Sequence, residues 1–274
     1  MSETTATVMQ VIGIAPAGAL GTLACEGVEP GTRAVVVPAG AFDALVSETP
    51  ASVFEGPEAE ARTRDLAWLT PRAQRHERAL REARRRAPVL PVGFGSVFSG
   101  AEALAAALAE EADAIAAFFE ETGEAEEWSI KVWADRRPAI ARAQERLDRE
   151  ASGALGGEGV AYLLSRRRAE EAARLVEDRA LELCDGMIEG LDDVALDAVE
   201  RRAIDPDPEG DRWLLAHVAL LVHPDDAAAF DGRLDALAEP FEREGMTLEL
   251  TGPWPPYSFC PRLGGDDEGG ASVA

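Results

Sequence analysis

Lysine is almost absent from this chain of 274 residues: Lys131 stands alone beside 26 arginines. With heavy Ala and Gly usage, this reads as genomic base-composition bias and carries no functional information. Histidine is scarce too, limited to His76, His217 and His223. None belongs to HExxH or another zinc-spaced cluster, and none lies at ligand spacing from a cysteine, which argues against a metal centre. The three cysteines (Cys25, Cys184, Cys260) are odd in number, far apart and never in a CxxC pair. That argues against a disulfide framework or a thiolate metal site, and for a reducing, cytoplasmic compartment. No run approaches the roughly 18 consecutive apolar residues that a membrane helix needs. The opening MSETTATVMQVIGIA lacks a basic start and a long apolar core, so it is not read as a signal peptide.

Positive charge is the other shortage. Lys and Arg total 27 against 51 Asp and Glu, a formal net charge of −24. Such a chain repels phosphates and anionic lipids, so nucleic acid and the membrane surface are excluded as partners. The same charge favours solubility and suits a basic or aggregation-prone partner. The hydrophobic fraction of 46% and charged fraction of 28% are those of an ordinary globular protein. The length suggests two domains.

Motifs of catalysis are missing. There is no GxSxG elbow and no Walker A sequence. In GFGSVFSG (93–100) the third glycine comes five residues after the second, too late for a dinucleotide fingerprint, and GGEG (156–159) lacks the phosphate-loop lysine. Both read as turns. His217 lies in an apolar run and reads as a core histidine satisfied by a neighbour. No catalytic residue, no cofactor-binding residue and no metal ligand is assigned, and no cofactor is expected.

What is present is a readable order of elements. Apolar runs at Val8–Ile14, Leu23–Val28, Ala34–Val37 and Ala44–Ser47 read as strands separated by Gly and Pro. Glu58–Ala87 reads as helical, with Pro71 starting a second helix or kinking one. VLPVGFGSVF (89–98) reads as a short broken strand. Residues 101–121 read as one helix with Leu104, Leu108, Ala112, Ile115 and Phe119 on one face. Gly123 ends it, and the acidic stretch 120–127 reads as an inter-domain linker.

Downstream, 128–134 alternates as a half-buried strand and Pro138–Ala151 as a helix. SGALGGEG (152–159) reads as a turn, and Val160–Gly190 as a long helix with an apolar stripe. These two helices suggest an αα-hairpin with coiled-coil character. Strands are expected at 194–202, at the nearly all-apolar 212–222 and at 246–251, with a helix from Pro224 to Glu244. The order β-αα-β-β-α-β over 128–251 is ferredoxin-like with its first helix enlarged, and predicts a four-stranded antiparallel sheet with helices on one face. The expected class is therefore α+β. Residues 1–124 form an N-terminal α+β domain, 125–262 the ferredoxin-like domain with its helical hairpin, and 263–274 a disordered acidic tail.

Two segments invite a binding role. Residues 61–87 carry nine arginines against three acids, a net of +6, while 110–127 carry eight acids and no base. Either these segments face each other or solvent, or the helix presents a basic docking stripe of Arg72, Arg75, Arg78, Arg81 and Arg85. The second segment is GPWPPYSF: Gly252, Pro253, Trp254, Pro255, Pro256, Tyr257, Ser258 and Phe259. Its prolines lack amide donors, so it is expected to leave the preceding strand as a stiff strap, with Trp254–Pro255 a candidate cis bond. The strap either packs its aromatics onto a core or exposes them as a docking site.

The run LTGPWPPYSF resembles the C-terminal signature of the gas vesicle protein F/L (GvpF/GvpL) family. GIAPAG after the first strand, PRAQRHERAL, VLPVGFGSVF and GVAYLLSRR agree with it, so the resemblance covers about residues 8–260. Val92–Gly93 departs from the larger apolar residue and Arg more usual there, and residues 50–60 look short. The resemblance implies a non-enzymatic, minor structural component of gas vesicle assembly, located at the gas vesicle. Such a protein binds the small hydrophobic shell protein, and other gas vesicle accessory proteins, and limits shell-protein aggregation during nucleation. A ferredoxin-like small-molecule-binding regulatory module is the alternative, and a cofactor-free enzyme would need His217 or His223 in a deep pocket.

Overall fold

The computed structural model describes residues 6–54, 59–150 and 158–261. The chain divides into two compact units, residues 1–124 with 255–274, and residues 125–254. The fold is mixed α and β, with two sheets, each antiparallel throughout. The expected turn (152–159) and acidic tail (263–274) fall largely or wholly outside the described residues.

In the first unit, β1 (Thr7–Pro16), β2 (Ala24–Glu26), β3 (Arg33–Ala39) and β4 (Phe42–Pro50) are followed by α1 (Ala59–Arg64) and α2 (Leu66–Arg84). Then come β5 (Leu90–Pro91), β6 (Val97–Phe98), α3 (Ala101–Glu110) and α4 (Ala112–Thr122). The sheet order is β2-β3-β4-β1-β5, with β6 also on β1. Strand β1 is buried without alternation from Gln10 to Ala15 because helices cover both faces of the sheet. Val11 and Ile14 meet Leu104, Leu108, Ile115 and Phe118 of α3 and α4. Ile12 and Ala15 meet Ala79, Leu80 and Ala83 of α2 on the opposite side. A bulge between Val11 and Gly13 puts Val11 and Ile14, three apart, on one face. Gly13 is needed for this packing: a Cβ there would lie 2.6 Å from Val89 and 2.9 Å from Leu80.

Several boundaries differ from expectation. The break between α1 and α2 falls at Asp65, whose side chain caps α2 through the Ala67 amide, and Pro71 sits inside α2. Residues 89–98 form two separate two-residue strands on β1, split by a turn at Gly95. The expected single helix 101–121 breaks at Glu111, whose backbone leaves the helical region.

The second unit contains β7 (Glu126–Asp135), α5 (Arg136–Glu150), α6 (Glu158–Glu189), β8 (Asp197–Arg201) and β9 (Arg212–Val222). It ends with α7 (Ala227–Leu237), α8 (Glu239–Arg243) and β10 (Met246–Trp254). Its sheet order is β10-β7-β9-β8. Ile130, Val132, Val218, Leu220 and Val222 point to one face, where α5 to α8 cover them. Helix α6 contributes Ala172, Val176, Ala180, Cys184 and Met187, a stripe at helical spacing that Leu191 continues in the turn after it. The expected helix 224–244 is split at Ala238, because Pro240 has no amide to continue the ladder and starts α8 instead.

Residues from Pro255 onward belong to the first unit, whereas the expected second domain ran to 262. Cys260 contacts the Pro91 carbonyl and packs against the core there.

Candidate functional site

Helix α2 lays its apolar side, Ala79, Leu80 and Ala83, on the sheet and turns its arginines outward. Their partners come from β2, the loop after it and α2 itself. Arg72 Nε and Nη2 grip Glu29 at 2.7 and 2.8 Å. The same guanidinium donates to the Trp68 carbonyl at 3.0 Å and lies 4.2 Å over the Trp68 ring. Its side chain is 16% exposed and that of Glu29 12%, so this fork-on-fork pair is shielded from solvent and geometrically fixed. Arg75 and Arg78 share Glu26 at 3.1 and 3.5 Å. Arg81 pairs with Glu77 and Arg85 with Glu82, each within the helix.

The five arginines singled out from sequence thus form one face, but not one kind of residue. Arg72 is a structural clamp between α2 and the loop after β2. Arg78, Arg81 and Arg85 stay more than half exposed and carry positive charge to the surface. Arg72, Arg75, Arg78 and Arg85 pair with Glu29, Glu26 and Glu82 rather than with the acids of 110–127.

The proline strap is divided between the units. Strand β10 does not stop at Thr251: Trp254 pairs with Glu127 after an irregularity that accommodates Gly252 and Pro253. The strand survives Pro253 because the missing donor falls inside this bulge. The cis bond is Gly252–Pro253, not Trp254–Pro255. Gly252 has φ of 142°, and a Cβ there would lie 3.0 Å from both the Glu127 carbonyl and the Trp128 ring. Only glycine fits this position.

Past the bulge, Pro255 and Pro256 are buried in the first unit. The turn Tyr257–Phe259 then delivers the Tyr257 hydroxyl to Glu77, donating to Oε2 at 3.1 Å. Burial, and then the neighbouring Glu77 carboxylate, push the Tyr257 phenol well above its ordinary pKa. Ser258 and Phe259 are half-buried. The arginine face and the strap, separate features of the sequence, therefore meet at one carboxylate. Glu26, Glu29 and Glu77 were not singled out from sequence, since nothing local marks them among so many acids.

The histidines are held in structural roles. His76 is buried, with Nε2 2.9 Å from the Val92 carbonyl and Phe94 edge-on to its ring. Burial lowers its pKa. His217 Nε2 lies 2.7 Å from Ser129 Oγ. Burial, with Lys131 and Arg201 beside it, pushes its pKa down to about 4. An imidazole so weakly basic is a poor general base for that serine. His223 accepts from the Asp225 amide and caps a turn.

The second unit carries one further constellation. A cleft of about 380 Å³ lies between α5, α6 and the start of β10, lined by Ala143, Leu147, Leu175 and Met246. At its end Glu244 takes Arg146 at 2.5 Å and Arg179 at 3.3 Å. Burial alone would raise the Glu244 pKa, but the two guanidinium groups outweigh it and hold the carboxyl below its usual range. Neither His217 nor His223 lines this cleft. Among the described residues no group of His, Cys, Asp and Glu is placed to hold a metal ion. Among the described residues no helix is long and apolar enough to cross a membrane.

Comparison with known proteins gives a consistent result. A family described as gas vesicle synthesis protein GvpL/GvpF matches residues 9–261. Gas vesicle protein L of Streptomyces sp. (strain CB03234) is 28% identical over 222 residues, covering 81% of this chain and 80% of its own. Gas vesicle protein F of the same strain is also 28% identical, covering 80% and 84%. A match to gas vesicle protein L1 of Halobacterium salinarum reaches 31% identity but spans 39% of each chain. The crystal structure of gas vesicle protein GvpF from Anabaena sp. PCC7120 has a TM-score of 0.68 at 17% identity, covering 93% of this chain and 98% of that one. GvpF from Microcystis aeruginosa gives 0.66, also at 17%, with 94% and 100% covered. The structural likeness speaks for the fold, and the F and L relatives match equally well.

Proposed function

Since the chain belongs to the gas vesicle synthesis protein GvpL/GvpF family and so serves gas vesicle assembly, we propose how it does so. It binds the small hydrophobic shell protein and limits its aggregation during nucleation, as a non-enzymatic accessory component at the gas vesicle in the cytoplasm. The family match over residues 9–261 carries this reading. The surplus of acids supports it, because a complex with a sticky partner stays dispersed when its carrier is strongly charged.

We assign the first unit as the holding domain. Strand β3 pairs with β2 only over Arg33–Val35, so the outer edge of Val36–Ala39 has no strand beside it among the described residues. An open, valine-rich edge accepts an extended apolar segment by strand addition. The ion pairs Arg72–Glu29 and Arg75–Glu26 supply a charged rim beside β2, which borders that edge. The second unit, with sheet order β10-β7-β9-β8 and a helical pair between β7 and β8, is read as the ferredoxin-like domain with its enlarged hairpin.

Hydrogen exchange on the full chain, with and without the shell protein, tests the assignment. Slowed exchange at Val36, Val37 and Ala39 is expected. Protection confined to residues 125–254 would move the holding site to the other unit, and no interaction at all would remove the proposal. The small-molecule alternative rests on the cleft at Glu244 and requires a ligand that raises Tm.

A further inference from the structure

Two helix layers of opposite charge cover the two faces of the first unit's sheet. Beneath one face, α2 and the turn after it present Arg78, Arg85 and Arg86 to solvent. On the other face, α3 and α4 carry Glu110, Asp113, Glu120 and Glu121, all exposed. Residues 101–124 contain seven acids and no lysine or arginine at all. These two surfaces cannot neutralise each other within one chain, because the buried sheet stands between them: Ile12 and Leu45 face α2 while Val11 and Val46 face α3 and α4.

The available partners confirm the imbalance. Arg78 reaches Glu26 only at 3.5 Å, a contact it shares with Arg75, and Arg85 has only Glu82. Arg86 has no ion pair among the described residues, and neither do Glu110, Asp113, Glu120 and Glu121. Ala103, Ala106, Ala109 and Ala116 are exposed on the same two helices. Such short side chains leave an incoming guanidinium free access to the carboxylates.

We propose that the first unit associates head to tail with a second copy of this chain, the arginine face of α2 docking on the acidic face of α3 and α4. This goes beyond binding of the shell protein and uses a different surface from the β3 edge. The contact joins two different patches, so it is heterologous. Repetition extends it into open rows or rings rather than a closed two-fold dimer. The net charge of −24 opposes it at long range. At physiological ionic strength, however, the screening length of about 8 Å mutes distant repulsion while contact pairs persist. Association is therefore strongest at moderate salt and lost at high salt.

Sedimentation velocity of the full chain across concentration and salt tests this. The wild type is expected to show growing oligomers without fixed stoichiometry at moderate salt. Two variants supply the specificity: Arg78→Glu/Arg85→Glu/Arg86→Glu, and Glu110→Arg/Asp113→Arg/Glu120→Arg/Glu121→Arg. Each alone loses about tenfold or more in self-association, the scale of two or three exposed ion pairs. Mixing the two restores association, because each now carries the complement of the other. Circular dichroism and melting verify that both are folded. A wild type that stays monomeric at every salt concentration overturns the proposal. So does association that ignores salt, or a mixture of folded variants that fails to associate.

Discussion

The Tyr257 hydroxyl donates to Glu77 Oε2 at 3.1 Å, while the other oxygen of that carboxylate accepts from Arg81 Nε at 3.2 Å. One side chain of α2 thus ties the Tyr257–Phe259 turn to the arginine face. Tyr257→Phe keeps the ring and deletes only the donor. A loss of about 1 kcal/mol is expected by urea denaturation at pH 7. The phenol also sets an alkaline limb. Its pKa is raised in the folded state, so the stability it contributes is intact below pH 10 and is lost as pH rises beyond that. The Phe variant should flatten that limb, and an unchanged limb would show that the phenol does not govern it.

Arg72 and Arg78 differ in worth although both point away from the core of α2. Arg72 is a shielded, bidentate pair with Glu29, and Arg78 reaches a solvated Glu26. Arg72→Ala should cost roughly 2 kcal/mol, with Arg72→Lys recovering only part because an ammonium cannot reproduce the fork. Arg78→Ala should stay within about 0.5 kcal/mol of wild type. Equal effects in chemical denaturation would refute the distinction.

Gly252→Ala combines a backbone angle of 142° with contacts at 3.0 Å to the Glu127 carbonyl and the Trp128 ring. A destabilisation of roughly 2 kcal/mol follows, read as a lower Tm. Gly93→Ala, where nothing lies within 4 Å, is the control and should melt near wild type.

His217 contributes to the acid limb of stability. Its folded pKa of about 4 lies below the ordinary imidazole value of about 6.5. The unfolded chain therefore takes up a proton that the folded one refuses, and stability falls as pH drops from 6.5 toward 4. His76, lowered by burial, acts in the same direction. His217→Gln should reduce the slope of Tm against pH in this window and leave it unchanged above pH 7. A steeper slope in the variant would contradict the assignment.

Periodicity located most elements because the forces that make them are local. Leu248 and Leu250 alternate with Thr247 and Glu249 on β10, and α6 repeats its apolar residues every three or four positions. Residues 89–98 were legible as a broken strand, but not the bounds of its two pieces. Leu90–Pro91 and Val97–Phe98 are strands only because β1 offers them partners. The candidate site was legible in its residues but not in its wiring. Arg72 and Glu29 are 43 positions apart, and Tyr257 and Glu77 are 180 apart. No local pattern encodes such pairings. The strap's aromatics were visible as a group, yet the bulge at Gly252–Pro253 sends Trp254 and Tyr257 to different units.

The return of the chain to its first unit at Pro255 has a consequence for biosynthesis. Residues 1–124 leave the ribosome long before the segment that completes their fold. The 180 positions between Glu77 and Tyr257 correspond to roughly ten to forty seconds of translation at ordinary rates. During that interval α2 waits without the Tyr257 turn, while the intervening residues 125–254 emerge in one uninterrupted stretch and can fold as they appear. A nascent chain stalled before Pro255 would therefore expose its flaw at the amino-terminal end, not at the end still being made.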